Sequence, residues 1–160
     1  MIKEFVLAWD ANKEKLSEYI ASHKQECYDS YEKIVKMLFE QVINPYMTAH
    51  DKGSFDIGNL HEIDDGDYQG TLLYMIPKKT YQPSYWEYVA TYVYYGSCSG
   101  CDTLLGISSY GGDLPDEGQV KEYVELCLDI LQHCKYPFNC EDDDDSYRNP
   151  CLNEGCETGT

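Results

Sequence analysis

Two cysteines three apart, Cys98 and Cys101, stand in the stretch Tyr-Gly-Ser-Cys-Ser-Gly-Cys-Asp-Thr-Leu over residues 95–104. A Cys-x-x-Cys turn brings two sulfurs to one point, which suits a zinc ion, a redox-active dithiol or a disulfide. Gly100 inside the turn is expected to supply the backbone freedom. The chain holds no second Cys-x-x-Cys, so further zinc ligands must come from other elements. His61, Asp64, Asp65 and Asp67 offer them from an acidic loop, and His133 and Cys134 from the end of a helix. Cys134 falls on that helix's apolar stripe while His133 is rotated about 100° away, which favours Cys134. The expected metal set is Cys98, Cys101, Asp67, His61 and Cys134 around a structural zinc. Cys127 and Cys134 read equally as small core residues. Cys140, Cys151 and Cys156 match no zinc module by spacing.

Enzymatic motifs are tested by the same residues. A thioredoxin-type dithiol places its first cysteine at a helix N-terminus, whereas the residues after Cys101 reach Gly106 quickly and read as poor helix material. A zinc deaminase needs His-x-Glu, and none of His23, His50, His61 or His133 is followed by glutamate two residues on. His61-Glu62 continues as Ile-Asp-Asp, which breaks the His-Glu-x-x-His pattern. No phosphate-cradling loop or nucleophile elbow is present. The chain is therefore expected not to be an enzyme.

Charge bounds the partners. With 12 basic and 29 acidic residues the formal net charge is −17, which disfavours direct binding to nucleic acid or to an anionic membrane and favours cations or basic protein surfaces. The candidate partner-binding acids are Glu62, Asp64 and Asp65 in the loop and the run Glu141, Asp142, Asp143, Asp144 and Asp145. Glu14, Glu18, Glu26 and Glu32 of the first helices join them as exposed acids. No apolar run approaches the roughly 20 residues of a membrane span, and the N-terminus lacks a signal peptide's apolar core. A cytoplasmic location is expected, where reduction makes metal binding or burial better explanations for cysteine than disulfides.

The elements that must position these residues follow from periodicity. At 160 residues the chain suits one domain, expected over 1–138, with an acidic, cysteine-containing tail over 139–160. Helices are expected over 10–25, capped by Asp10 and carrying Leu16 and Ile20, and over 30–43, with Tyr31, Ile34, Leu38 and Val42 as its stripe and Asn44-Pro45 as its stop. Short strands fit around 55–57 and 60–63. Strands over 68–76 and 86–95, rich in β-branched and aromatic residues, suggest a hairpin with a long tip. Setting Ile76 opposite Trp86 places Tyr95 opposite Asp67 and makes the acidic loop a neighbour of the cysteine turn. Residues 103–110 read as a third strand. Residues 115–137 read as a helix between two prolines, with Val120, Val124, Cys127, Leu131 and Cys134 facing the sheet. The expected fold is α+β: N-terminal helices, a central antiparallel sheet, and a long C-terminal helix packed on it, stabilised by metal.

The stretches Asp67-Tyr68-Gln69-Gly70 and 95–104 resemble a group of small acidic proteins encoded by bacteriophages and prophages, over the central third of the chain. By analogy of class, small acidic phage proteins without enzymatic motifs are similar to anti-CRISPR proteins, some of which resemble DNA in charge and one or more of which binds metal. The resemblance implies a phage-encoded inhibitor acting in the host bacterial cytoplasm. It would bind a host defence nuclease of Cas9 type at its Lys/Arg channel and block DNA loading. Two alternatives stand beside it: a Cys-x-x-Cys thiol–disulfide redox protein, and a metal-stabilised phage regulatory protein with another partner.

Overall fold

A computed structural model describes residues 1–107 and 112–138. The run Glu141 to Asp145 and Cys140, Cys151 and Cys156 lie outside the described residues. The first helix, α1 (Lys3–Ser22), buries Phe5, Ala8, Trp9, Asn12, Leu16 and Ile20. This spacing of three and four makes one stripe that already begins at Phe5, so the helix starts at Lys3 and Asp10 sits exposed within it instead of capping it. The second, α2 (Tyr31–Leu38), opens at Ser30, whose hydroxyl accepts the Lys33 N–H at 3.3 Å.

Asn44-Pro45 does not end this helix. A π-helical turn over Phe39–Ile43 leads directly into α3 (Asn44–Ala49), closed by the Asn44 N–H on the Phe39 carbonyl. The proline thus falls in the first turn of α3, where its missing N–H costs least, and the wider turn absorbs its ring. Side-chain amides tie this irregular stretch to its neighbours. Asn12 Nδ2 donates to the Val42 carbonyl at 2.9 Å, and Asn44 both accepts the Phe55 N–H at 2.8 Å and donates to the Phe55 carbonyl at 3.0 Å. Phe5, Phe39 and Phe55 meet edge to face with centroids 5.4 to 6.0 Å apart, and each fully buried ring is worth about 1.5–3 kcal/mol of transfer free energy.

Three antiparallel strands follow in the order β1 (His61–Asp64), β2 (Gly70–Pro77) and β3 (Tyr88–Tyr95). Around 55–57 the expected strand is reduced to one bridge, Phe55 to Lys78, before a 3₁₀ turn over Ile57–Asn59. Gly70 lies opposite Tyr95 and Pro77 opposite Tyr88, a different register from the expected pairing of Ile76 with Trp86. The cause is a 3₁₀ turn over Tyr85–Glu87, locked by reciprocal bonds between Ser84 and Glu87, which takes Trp86 out of the strand.

Residues 103–107 form a short helix, α4 (Thr103–Ile107), where a strand was expected. Asp102 starts it by accepting the Leu105 N–H at 2.9 Å, a local bond that outcompetes extension. The last helix, α5 (Glu117–Gln132), is opened by a reciprocal pair between Asp116 and Gln119. It covers one face of the sheet, where Thr91 Oγ1 donates to the Ile130 carbonyl at 2.7 Å. Beyond it, Lys135 exchanges two backbone hydrogen bonds with Ala90 and protects the outer edge of β3. The architecture is α+β, with helices, a three-stranded antiparallel sheet and a C-terminal helix upon it.

Candidate functional site at the cysteine turn

β3 delivers the chain to Gly96, and α4 takes it up at Thr103; the cysteine turn lies between. Its sulfurs are 2.8 Å apart, and both residues are exposed. The Cys98 N–H points at Cys101 Sγ at 3.2 Å, while the Cys98 carbonyl accepts the N–H groups of Cys101 and Asp102 at 3.1 and 2.9 Å. Hydrogen bonds from the Cys98 thiol, and then from the Cys98 backbone, hold the Cys101 thiol below the ordinary cysteine range.

The glycine this turn requires is Gly96, not Gly100. A Cβ on Gly96 would lie 2.5 Å from the Cys101 carbonyl oxygen and 2.8 Å from its sulfur. At Gly100 the nearest atom is Cys98 Sγ at 4.0 Å.

Asp102 anchors the turn to the core and was not singled out in the sequence. Only 6% exposed, its carboxyl group accepts the Tyr31 hydroxyl and the N–H groups of Gly96 and Leu105, each at 2.9 Å. Tyr31 in turn accepts the Leu104 N–H at 3.2 Å. Burial first, then the bond to Asp102, raises the Tyr31 hydroxyl far above its usual range, so it stays a donor. Helix α2 is thus pinned to the cysteine turn.

Beside the turn runs a groove of about 580 Å³ between β3, α4 and α5. Cys101, Asp102, Tyr94, Glu122, Glu125 and Asp129 are among its walls. Among the described residues no lysine or arginine lines it. Sequence reasoning missed this acidic wall because Glu122, Glu125 and Asp129 recur at helical spacing and read as a solvated face.

Of the expected metal ligands, His61 and Cys134 are placed apart from the cysteine turn. Asp67 lies in the β1–β2 loop, at the same end of the sheet as the cysteine turn. His61 pairs with Met75, which pairs with Ala90, and Cys134 adjoins Lys135, which bridges to that same Ala90. Ala90 is five residues from Tyr95, about 17 Å at roughly 3.4 Å per residue, so neither His61 nor Cys134 shares an ion with the cysteine turn. Cys134 is instead a core residue: its thiol donates to the Ile130 carbonyl at 3.4 Å, and burial pushes it up to about 12. His133 stacks on Tyr92 at 4.1 Å with Nδ1 at 3.0 Å from the Tyr92 carbonyl. Among the described residues no group of three or more His, Cys, Asp or Glu side chains is arranged to hold a metal ion. A zinc ion on Cys98 and Cys101 would draw its other ligands from outside them.

The acidic loop is ordered by its own carboxylates. Asp64 accepts the Tyr95 hydroxyl at 2.6 Å and the Gly66 N–H at 2.9 Å, which together hold its carboxyl below the usual range. Asp65 accepts the Thr71 N–H at 2.6 Å, and Glu62 accepts the Tyr74 hydroxyl at 2.7 Å. These three were expected to serve a partner, and each also braces the sheet.

The face of the sheet turned away from α5 has no helix on it among the described residues. Strand alternation puts Ile63, Leu73, Met75, Tyr92 and Tyr94 there together, with Ile63 52% and Tyr94 67% exposed. Carboxylates stand near this strip: Glu125 and Asp129 of α5 share a groove wall with Tyr94, and Asp65 and Asp67 lie in the β1–β2 loop at the end of the strands. No helix of the described residues is long and apolar enough to cross a membrane. Comparison with protein-family models, with curated proteins and with solved structures gives no match to this chain. What fold and site define is thus an acidic α+β domain with an exposed thiol pair and an open aromatic sheet face.

Proposed function

We propose that the protein works by binding, not catalysis, and that the open sheet face receives a basic protein surface. The observation that carries this reading is an apolar strip, Ile63, Leu73, Met75, Tyr92 and Tyr94, on the sheet face turned away from α5, with the α5 carboxylates beside Tyr94. Exposed tyrosines are favoured anchors of interfaces, and an apolar centre with a charged rim is the usual anatomy of one. A net charge of −17 adds long-range steering toward lysine- and arginine-rich partners.

The leading partner is a nucleic-acid-handling effector of Cas9 type, whose basic channel a carboxylate-rimmed domain would occupy in place of DNA. The phage-protein resemblance of residues 67–70 and 95–104 supports the same choice. The binding reading holds with or without a structural zinc ion on Cys98 and Cys101.

Calorimetric titration of a Cas9–guide complex with the protein tests both halves. Binding is expected to weaken with salt and with excess target DNA, and Tyr94→Ala is expected to raise Kd by about tenfold or more, the loss typical of an aromatic anchor. Absence of binding overturns the choice of partner. Binding that is indifferent to Tyr94→Ala and Ile63→Ala overturns the choice of surface.

A further inference from the structure

We propose that Cys98 and Cys101 are a working dithiol that reduces cationic disulfides bound in the acidic groove. This inference does not depend on the binding reading. Three observations converge on it. The sulfurs stand 2.8 Å apart and need to close only to about 2.05 Å to bond, with both residues open to solvent. Cys101 lines the groove and Cys98 does not, which assigns the attacking and resolving roles. Among the described residues the charged side chains of the groove are Asp102, Glu122, Glu125 and Asp129, all acids, so a substrate carrying ammonium or guanidinium groups is drawn in and an anionic one is repelled.

The chemistry balances without a further reagent. Cys101 thiolate attacks one sulfur of the substrate R–S–S–R; a Cys101–S–S–R bond forms, and the substrate bond breaks. The departing RS⁻ takes up the proton that Cys101 released. Cys98 then loses its proton and attacks Cys101 Sγ, expelling the second RS⁻, which takes that proton. The protein gives up two electrons and two protons and ends as a Cys98–Cys101 disulfide, and the substrate ends as two thiols.

Reduced full-length protein is exposed to cystamine, bis(2-hydroxyethyl) disulfide and oxidised glutathione, which are cationic, neutral and anionic. Tryptic cleavage after Lys79 and Lys121 isolates residues 80–121, whose only cysteines are Cys98 and Cys101, so loss of two hydrogens from that peptide reports the site directly. The expected order of rate is cystamine, then the neutral probe, then glutathione, with about tenfold between the ends at low salt and less at high salt. Cys98→Ser is expected to trap the probe on Cys101, and Cys101→Ser to abolish the fast phase. Glu122→Gln, Glu125→Gln and Asp129→Asn together are expected to level the three rates while oxidation continues. Equal rates on the wild-type protein, or a peptide 80–121 that stays reduced while cystamine is consumed, overturn the proposal. So does a stoichiometric zinc ion in the isolated protein that shields both sulfurs from alkylation.

Discussion

Removing the Asp102 carboxyl group should loosen the cysteine turn and the whole fold together, by an amount the hydrogen bonds define. Asp102→Ala leaves the Gly96 N–H, the Leu105 N–H and the Tyr31 hydroxyl without their acceptor. At about 1–3 kcal/mol for each buried group left unsatisfied, less where water reaches the two part-buried N–H groups, the cost is about 3–5 kcal/mol. That is a large share of the roughly 5–15 kcal/mol by which a domain is stable. Tyr31→Phe loses the bond to Asp102 and the one from Leu104, about 1.5 kcal/mol. Because the two side chains share a bond, their effects must not add, and a coupling of about 1–2 kcal/mol is expected. Urea denaturation of the wild type, both single variants and the double variant measures it. Alkylation of Cys101 at neutral pH supplies a local readout, since a turn released from Gly96 and Leu105 no longer aims the Cys98 N–H at the sulfur. Additivity within about 0.3 kcal/mol, or an Asp102→Ala cost under about 1 kcal/mol, would refute the account of Asp102 as the anchor.

Gly96→Ala is expected to destabilise by about 1–3 kcal/mol, because its Cβ meets Cys101 backbone atoms at 2.5 and 2.7 Å and backbone yields less readily than a flexible side chain. Gly100→Ala, with only Cys98 Sγ at 4.0 Å, is expected to be nearly neutral, and thermal melts of the pair separate the two glycines. The Asp64–Tyr95 bond should show at both ends of the pH scale. Asp64 titrates lower when folded, so its contribution is complete above the unfolded carboxyl value of about 3.9 and is lost as pH falls through the folded value. Tyr95 is pushed up to about 12, chiefly by its bond to Asp64, so its contribution is complete below about 10 and is lost as pH rises through about 12. Tyr95→Phe should raise Asp64 part of the way to the ordinary range in a carbon-detected NMR titration, the Gly66 N–H still holding it down, and an unmoved Asp64 would count against the bond.

What could be read from the residues alone was whatever repeats at short range. Tyr31, Ile34, Leu38 and Val42 are all buried as their spacing requires, and the β-branched and aromatic runs around 70–77 and 88–95 pair as strands. Where one local bond decided the outcome, periodicity misled. A run of mixed apolar residues after Asp102 looked extended, but one side-chain cap to Leu105 coils it, and a Ser84–Glu87 lock moves the hairpin register. Asn44-Pro45 looked like a stop because a proline's cost is counted for a regular α-helix, and the π turn before it changes that cost.

The site was half legible for a related reason. Cys98 and Cys101 announce themselves by spacing, but Asp102 gains its role from Tyr31, far away in the chain, and the acidic wall arises only when α5 is laid beside α4 and β3. His61 looked like a ligand from the expected hairpin register and Cys134 from its place on the helix stripe, yet the sheet register carries both to the far end of β3. Only Cys101 of the pair lines the groove, whose α5 carboxylates suit a cationic disulfide better than a thiolate–zinc site, since hard carboxylates are the weaker complement to soft sulfur. The proposed electron exchange with a positively charged partner rests on the short reach of the Cys98–Cys101 pair and on the acids of the groove beside Cys101, and the order of rates on three small disulfides decides it.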